Sequence, residues 1–461
     1  MPRCIARMGE VRVAPSEGSR ACRGPISCHR KIECPRHLSD AVAAVYPRFR
    51  GLSALWVLAF HLRLVVPAPQ DPGIGRFLYG VATLGYLGVD VFFVISGFVV
   101  WRNYAGRFSK PTPRSWASFV RARVTRVYPV YAVWTTAMVA AILLVARDQG
   151  PMRALLLPST LAANFLMLQV WLGVPSVVYI AWTVSALFGL YLVFPLAVPL
   201  LSRLRSVQVR LGLAAAGYAA LIYCNTVFGW TDALPRAIAG FLAGSLLAAI
   251  FQQGGQRFSR TVAVGAELLL ACYVIAHAAG AWPAFWPFSA ISAGGLWIVT
   301  PVVAPLVFGV AGCEDPFSRL LGKQPFVFLG TISYSVYLAQ GVAIVVLGKL
   351  LSGSSISSPD GTLATVALLL LYLTAAAALS LSSYFLVERP SKAWLGTSRN
   401  LRSWVTCAMP VRSRQSTRPL GTVSCCLRNR RIVLESIAKA TPQRRRWHCW
   451  PRYRGQPDGL R

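Results

Sequence analysis

Long apolar segments, separated by short polar ones, fill the chain between residues 51 and 386. A bilayer core about 30 Å thick requires about 20 mostly apolar residues in each helix that crosses it. Ten segments meet this requirement: 51–69, 77–101, 127–147, 177–201, 211–229, 232–252, 261–280, 285–311, 326–349 and 362–386. The pattern therefore predicts an all-α polytopic membrane protein with about ten transmembrane helices.

Basic residues collect in alternate loops of this ten-helix arrangement. One side receives seven of them between residues 102 and 126, and pairs or triplets of them in each later loop. The other side receives four: Arg76, Arg147, Arg153 and Lys349. The positive-inside rule predicts that the basic side is cytoplasmic and that both termini lie there. An eleventh apolar stretch, residues 154–174, would abolish this bias if it crossed, so it is predicted to be interfacial or re-entrant.

Composition excludes most other classes of protein. Of the 461 residues, 55% are hydrophobic and 13% are charged, whereas soluble proteins carry about 25% charged residues. The formal net charge is +32, but the basic residues lie between long apolar runs, so nucleic acid is not an expected partner. The content of Leu, Val and aromatic residues excludes disorder for the bulk of the chain. A multi-pass protein of a cell membrane is the class that remains.

The two ends of the chain differ from its middle. Residues 1–45 and 398–461 each hold four Cys, are rich in basic residues and show no apolar period. Both are predicted to be disordered tails that flank a membrane domain at residues 46–397. They are interpreted either as polybasic arms that hold anionic lipid or as translated sequence outside the true reading frame or start. The second interpretation is favoured. A reducing cytoplasm would contain these Cys, so no disulfide framework is expected.

Ionisable residues inside apolar segments are costly and therefore mark candidate functional sites. His61 lies 11 residues after Arg50, so both side chains project from nearly the same helix face, about 16 Å apart along the axis. We expect Arg50 at the cytoplasmic surface and His61 near mid-bilayer. Asp90 lies 11 residues before Trp101, which ends the second, antiparallel segment. An Asp at the depth of His61 could hold one imidazole nitrogen and leave the other free as a base.

A structural interpretation of such residues stays open beside the catalytic one. A lone His in a membrane is often an interhelical hydrogen-bonding residue, and His277 is interpreted in this way. Gly85, Gly88 and Gly97 of the second segment are expected to let neighbouring helices approach closely.

The second segment also carries a motif that resembles a known family. Residues 85–98 read GYLGVDVFFVISGF, which is similar to the signature of the membrane acyltransferase-3 family, polytopic enzymes that O-acylate bacterial glycans and some antibiotics. Arg50 through His61 resembles the family's Arg-x10-His element, and Arg123–Pro129 resembles its basic turn. Similar elements follow in order at Trp182–Pro195, Arg236–Gly244, Gly330–Leu338 and Val387–Pro390. The resemblance covers about residues 46–397.

The resemblance implies a bacterial inner-membrane enzyme that moves an acyl group, acetyl first of all, from cytoplasmic acyl-CoA to a hydroxyl of a carbohydrate or lipid-linked glycan. Acyl-CoA is the expected co-substrate, membrane lipid is a further partner, and no bound cofactor or metal is expected. His61 is the predicted general base and Asp90 the residue that orients it. The predicted acyl-CoA phosphate-binding residues are Arg50, Arg121, Arg123 and Arg126. The predicted supporting residues are Tyr128, Trp182, Arg236, Tyr334 and Glu388.

The chain departs from the family pattern at three positions. Pro47 stands where the family usually has Asp, Leu187 where it has Glu, and Gln340 where it has His. A catalytically impaired relative is therefore one alternative. A transporter or flippase of an acylated or anionic metabolite is the other, because the same ionisable residues would suit a transport pathway, although no internal repeat relates the two halves of the chain.

Overall fold

A computed structural model of the protein describes residues 36–64, 66, 68–69, 73–145, 150–228, 233–280, 300–312, 319–320, 323–350 and 362–395. Contacts divide the chain into two units, Met1–Cys407 and Ala408–Arg461, and every described residue belongs to the first. These residues form helices and connecting turns, and no strand occurs among them. The described part of the chain is therefore all-α, as the sequence predicts.

Fourteen α-helices are described. The first seven are α1 Arg36–Leu62, α2 Ile74–Thr83, α3 Leu87–Tyr104, α4 Pro113–Val145, α5 Gly150–Leu155, α6 Pro158–Phe165 and α7 Trp182–Arg203. The others are α8 Val207–Phe228, α9 Ala233–Gln252, α10 Ser259–Ala278, α11 Thr300–Gly312, α12 Gln324–Leu350, α13 Thr362–Ser383 and α14 Arg389–Leu395. A 3₁₀ turn, Leu84–Tyr86, joins α2 to α3, and a π-helical turn, Tyr384–Glu388, joins α13 to α14.

Each of the ten predicted segments contains a helix. Among the described residues, seven helical segments are long and apolar enough to cross a membrane, and two shorter apolar helices, Phe49–Leu62 and Val302–Gly312, fall in the first and eighth predicted segments. The prediction of a polytopic all-α membrane protein is thereby confirmed. The count of ten crossings and the cytoplasmic location of both termini stay predictions.

The first and third segments have different ends from those predicted. α1 ends at Leu62 instead of residue 69, where prolines at positions 67, 69 and 72 follow and lack the N–H that a helix needs. His61 therefore lies in the last turn of α1, and not in the middle of a longer helix. α4 begins at Pro113, well before residue 127, because proline is pre-organised for the first position of a helix.

The apolar stretch 154–174 does not form a spanning helix, in agreement with its prediction. It is broken into α5 and α6, which have 6 and 8 residues, and at 1.5 Å per residue the longer one covers only about 12 Å. Asn164, which is 1% exposed, joins the end of α6 to the segment that precedes α7. Its amide donates to the carbonyl of Pro175 at 3.0 Å and accepts from the backbone N–H of Val177 at 2.9 Å.

The predicted tails lie largely outside the described residues. Residues 1–35 and 396–461 are among those that the structure does not describe, so the predictions about their order and their Cys are not tested. α1 begins at Arg36, inside the segment predicted as the N-terminal tail. The helical part of the chain therefore starts before the predicted domain boundary at residue 46.

α3 packs closely against two neighbours, as its glycines predict. A Cβ on Gly85 would overlap the backbone oxygen of Trp56 in α1, and one on Gly88 would meet the carbonyl of Ser53. A Cβ on Gly97 would instead overlap the carbonyl of Phe241 in α9. α3 therefore lies between α1 and α9, with backbone against backbone on both sides.

Candidate active site

His61 lies at the end of α1 and is enclosed by aromatic rings. It exposes 8% of its surface. The rings of Phe60 and Tyr179 meet it edge-on, with centroid distances of 5.1 and 5.3 Å. Tyr179 belongs to a 3₁₀ turn that directly precedes α7. The imidazole is therefore held in a largely aromatic niche, and Arg50 lies three turns away on the same helix.

Two polar groups approach the imidazole. They are the backbone carbonyl of Val57, one turn earlier in α1, and the side-chain amide of Gln340 in α12. Neither is a short hydrogen bond to Nδ1, which has no close partner among the described residues. Arg63, exposed just beyond the helix, places a positive charge nearby. A ring nitrogen of His61 is therefore available to a further hydrogen-bonding group.

Asp90, which is predicted to orient His61, is bound by Arg236 in the described structure. Arg236 donates from Nε to Oδ1 at 2.8 Å and from Nη2 to Oδ2 at 2.7 Å. Nη2 also donates to the backbone carbonyl of Tyr86 at 2.7 Å. Asp90 and His61 are predicted to lie at the same depth in the membrane. The carboxylate of Asp90 faces α9. In the described structure this carboxylate joins α3 to α9.

Three of the four predicted phosphate-binding arginines come together. Arg50 interacts electrostatically with Arg123 and Glu388, and Arg126 interacts with both of these arginines. Lys392 of α14 adds a further cation near Arg50 and Arg126. We call Arg50, Arg123, Arg126 and Lys392 the cation cluster. Four positive charges lie near one carboxylate, Glu388, which interacts with Arg50, Arg126 and Lys392. The mutual repulsion of the cations favours the binding of an added anion.

Two side chains of the cation cluster are exposed. Arg126 is an exposed residue of α4. The side chain of Lys392 is likewise 42% exposed. Arg121 is exposed too, but it takes no part in the interactions of the cluster. Two residues rotate a helix by about 200°, so Arg121 projects away from Arg123.

Arg123 is fixed in place by aromatic side chains. Its Nη2 donates to the hydroxyl of Tyr104 at 2.8 Å. Its guanidinium carbon lies 5.1 Å from the ring centroid of Tyr104, 5.4 Å from that of Phe119 and 5.8 Å from that of Tyr191. Cation–π contacts of this kind hold a guanidinium without neutralising it. Its Nε has no hydrogen-bond partner within the described part of the chain.

Two of the predicted supporting residues tie helices together beside the cation cluster. Glu388, 2% exposed, accepts hydrogen bonds from Ser335 and Lys392, each at 2.5 Å. The hydroxyl of Tyr334 donates to the backbone carbonyl of Val127 in α4 at 2.9 Å. α12 is thereby anchored both to α4 and to the π-helical turn that contains Glu388.

Of the other three predicted supporting residues, Arg236 binds Asp90, and Trp182 and Tyr128 pack elsewhere. The ring of Trp182, the first residue of α7, lies 5.9 Å from that of Phe93, and the ring of Tyr128 lies 6.5 Å from that of Tyr131. Tyr179, whose ring meets that of His61, is not among the residues singled out from the sequence. The feature of the sequence that could have indicated Tyr179 is its position three residues before Trp182, where a family-like motif begins.

The site therefore combines two chemical functions on one helix. An imidazole with an available ring nitrogen ends α1, and the cation cluster surrounds Arg50, about 16 Å away along the axis. No group of three or more His, Cys, Asp or Glu side chains within the described ranges is placed to hold a metal ion. The arrangement can bind a polyanion at one end and accept a proton at the other.

A family model and three known proteins match large or smaller parts of this chain. A family model described as an acyltransferase domain matches residues 48–385. Acyltransferase MdmB of Streptomyces mycarofaciens is 31% identical over 184 residues, which are 38% of this chain and 43% of MdmB. Exopolysaccharide production protein ExoZ of Rhizobium meliloti is 28% identical over 325 residues, 67% of this chain and 90% of ExoZ. Peptidoglycan O-acetyltransferase OatA of Listeria monocytogenes is 22% identical over 319 residues, 63% of this chain and 47% of OatA.

The chain thus spans less than half the length of MdmB and OatA and most of ExoZ. No solved structure matches it. The range that the family model matches contains His61, Asp90, Arg236 and the three clustered arginines, and it ends shortly before Glu388. The chain therefore belongs to the acyltransferase-3 family and is a membrane acyltransferase.

Proposed function

We propose that this protein transfers an acetyl group, or a similar short acyl group, from acyl-CoA to a hydroxyl of a carbohydrate. The observation that carries the proposal is the pairing, on α1, of Arg50 in a cation cluster with a buried His61 at the helix end. The name of ExoZ refers to an exopolysaccharide and that of OatA to peptidoglycan O-acetylation. Both names support a carbohydrate acceptor. The proposed location is a bacterial inner membrane, with the basic side of the protein facing the cytoplasm.

The cation cluster is the proposed site for the phosphates of the donor. Arginine binds phosphate through two parallel hydrogen bonds, and Lys392 adds a point charge. Arg126 and Lys392 are exposed and so remain accessible. The flexible arm of CoA separates its phosphates from its thioester. A donor held at Arg50 therefore extends along α1 towards His61.

His61 is the proposed general base. It takes the proton of the acceptor hydroxyl as the oxygen attacks the thioester carbonyl and forms the new ester bond. The carbon–sulfur bond then breaks, and the imidazolium returns the proton to the leaving thiolate, so that CoA departs as the thiol. General base catalysis of this kind contributes about 10² to 10⁴ in rate. Asp90 supports the site indirectly, since its ion pair with Arg236 fixes α3 beside α9, and α3 in turn packs against α1.

The test measures acetyl transfer and CoA release by the full-length protein in isolated membranes. With labelled acetyl-CoA, wild type is expected to release CoA thiol and to label the glycan fraction. His61→Ala is expected to lower both by at least about 100-fold. His277→Ala is the matched control, because His277 is an exposed histidine at the end of α10 whose Nε2 pairs with Thr83 at 3.0 Å.

A second pair of variants tests the donor site. Arg50→Ala is expected to raise the KM for acetyl-CoA, whereas Arg260→Ala, an exposed arginine at the start of α10, leaves it unchanged. Wild-type turnover in His61→Ala would refute the assigned base. Uptake of label into sealed vesicles without any covalent product would refute the enzymatic proposal and indicate transport.

A further inference from the structure

The packing of α1 on α12 brings Gln340 opposite the end of α1. A Cβ on Gly51 would meet the backbone of Gly330, so the middle of α1 is in contact with the second turn of α12. Further along, Val57 belongs to the same buried cluster as Leu338 and Ala339. Both helices therefore run in the same direction, and the residue after Ala339 falls beside the last turn of α1.

Gln340 is fully buried, at 0% exposure. Its side chain reaches the imidazole of His61, and neither its oxygen nor its nitrogen forms a hydrogen bond with any other described residue. A buried amide without partners is costly and needs an explanation. Nδ1 of His61 lacks a close partner too, so two buried polar groups face each other with their hydrogen-bonding capacity unused.

We propose that Gln340 is the positioning residue of His61: its amide oxygen accepts the N–H of one ring nitrogen and leaves the other nitrogen as the base. The inference deepens the proposed function and rests on it for the identity of the base. A general base needs a defined tautomer, which the hydrogen bond on its other nitrogen supplies. Catalytic hydrogen bonds are often long in a structure without substrate and shorten when substrate binds, which agrees with the loose approach seen here.

An amide suits the role of positioning His61, because Asp90, the carboxylate predicted for that role, is engaged elsewhere. Asp90 is held by two hydrogen bonds from Arg236. The titratable side chains around His61 include Arg63, whose guanidinium lies 4.0 Å from the ring centroid of Phe60, and the phenol of Tyr179. Tyr86, on the far side of Phe60, and Tyr372, beyond Tyr179, are further phenols. A neutral amide fixes the ring without adding a charge to this niche.

The kinetic test removes the amide while preserving the shape of its side chain. Gln340→Met is expected to lower kcat for CoA release by about 10- to 100-fold, with an unchanged KM for acetyl-CoA, because a misplaced catalytic group loses up to about 100-fold. Gln340→His restores a polar ring that can pair with His61, so it is expected to recover at least part of this loss. Gln169→Met is the control, because Gln169 is also 0% exposed and donates to Tyr131 at 3.1 Å.

A spectroscopic test does not depend on turnover. In protein labelled with [¹⁵N]histidine and held in lipid nanodiscs, the signals lost in His61→Ala identify this residue. Wild type is expected to show one neutral tautomer, and Gln340→Met a mixture of both. An unchanged tautomer spectrum, or a kcat of Gln340→Met equal to that of wild type, would overturn the role of Gln340. An inactive wild type with the expected spectra would overturn the proposed function alone.

Discussion

Removal of either partner of the ion pair between Asp90 and Arg236 distinguishes two roles for Asp90. If the carboxylate holds α3 against α9, Asp90→Asn and Arg236→Met both destabilise the protein, and the double variant loses less stability than the two losses added. If it acts on His61, Asp90→Asn stops catalysis without loss of stability, and Arg236→Met has little effect on turnover. The contacts favour the first outcome.

The expected magnitude follows from the two charge-assisted hydrogen bonds. Each contributes about 1.5 to 3 kcal/mol, and removal of one partner of a buried ion pair costs about 3 to 5 kcal/mol. An Asn at position 90 keeps an acceptor, and Arg236 keeps its bond to the carbonyl of Tyr86, so about 3 kcal/mol is expected for Asp90→Asn. Arg236→Met strands a carboxylate of 0% exposure, so about 5 kcal/mol is expected. The double variant leaves neither charge, which gives a coupling energy of about 2 kcal/mol or more.

The assay is unfolding by SDS titration in mixed micelles, followed by helical circular dichroism, with CoA release measured per folded protein. Asn103→Ala, an exposed position near the end of α3, is the control and should stay within about 0.5 kcal/mol of wild type. Two single variants as stable as wild type, together with lost turnover in Asp90→Asn alone, would contradict the structural role and restore the catalytic one.

Three further variants test other contacts. Gly97→Val forces a side chain into the carbonyl of Phe241 and should lower the free energy of unfolding by at least about 1 to 3 kcal/mol in the same titration; wild-type stability would contradict the close approach of α3 and α9. Asn164→Ala leaves the backbone N–H of Val177 without its acceptor, so proteolysis of native membranes should cut between α6 and α7 faster than in wild type; equal rates would contradict that role. Glu388→Gln removes the carboxylate amid the cation cluster, so CoA should raise its melting temperature more than that of wild type; an equal shift would contradict an anion site there.

The existence of the helices can be predicted from the sequence because hydropathy is a local property. Every predicted segment contains a helix, and the break at Pro158 follows from the chain's own turn residues and loop charges. Helix ends are less predictable. Apolar residues continue past Leu62, but α1 stops there, because prolines at positions 67 to 72 cannot continue its hydrogen bonds.

The cation cluster shows what the sequence leaves open. Arg50, Arg123 and Arg126 could each be singled out from their motifs, yet they come together through α12, which packs against α1 and is anchored to α4 by Tyr334. No local pattern encodes this packing. The grouping of Arg121 with them followed from nearness in sequence. The rotation of about 200° between residues two apart separates it from Arg123. Lys392 joins the cluster through the turn at Glu388, which lies far away along the chain.

Arg236 could have been predicted as the partner of Asp90 from the glycines on α3. Depth matching fixes a position along the helix axis but not the angle around it. At 100° per residue, Asp90 lies about 20° from Gly97 and about 160° from Gly88, so it shares the face that meets α9 and turns away from α1. On α9, Arg236 precedes Gly240 and Gly244 at intervals of four residues, and both glycines contact α3. The glycine face of α3 thus carries a negative charge and the glycine face of α9 a positive one. Once these two faces are recognised as packing partners, they indicate the ion pair.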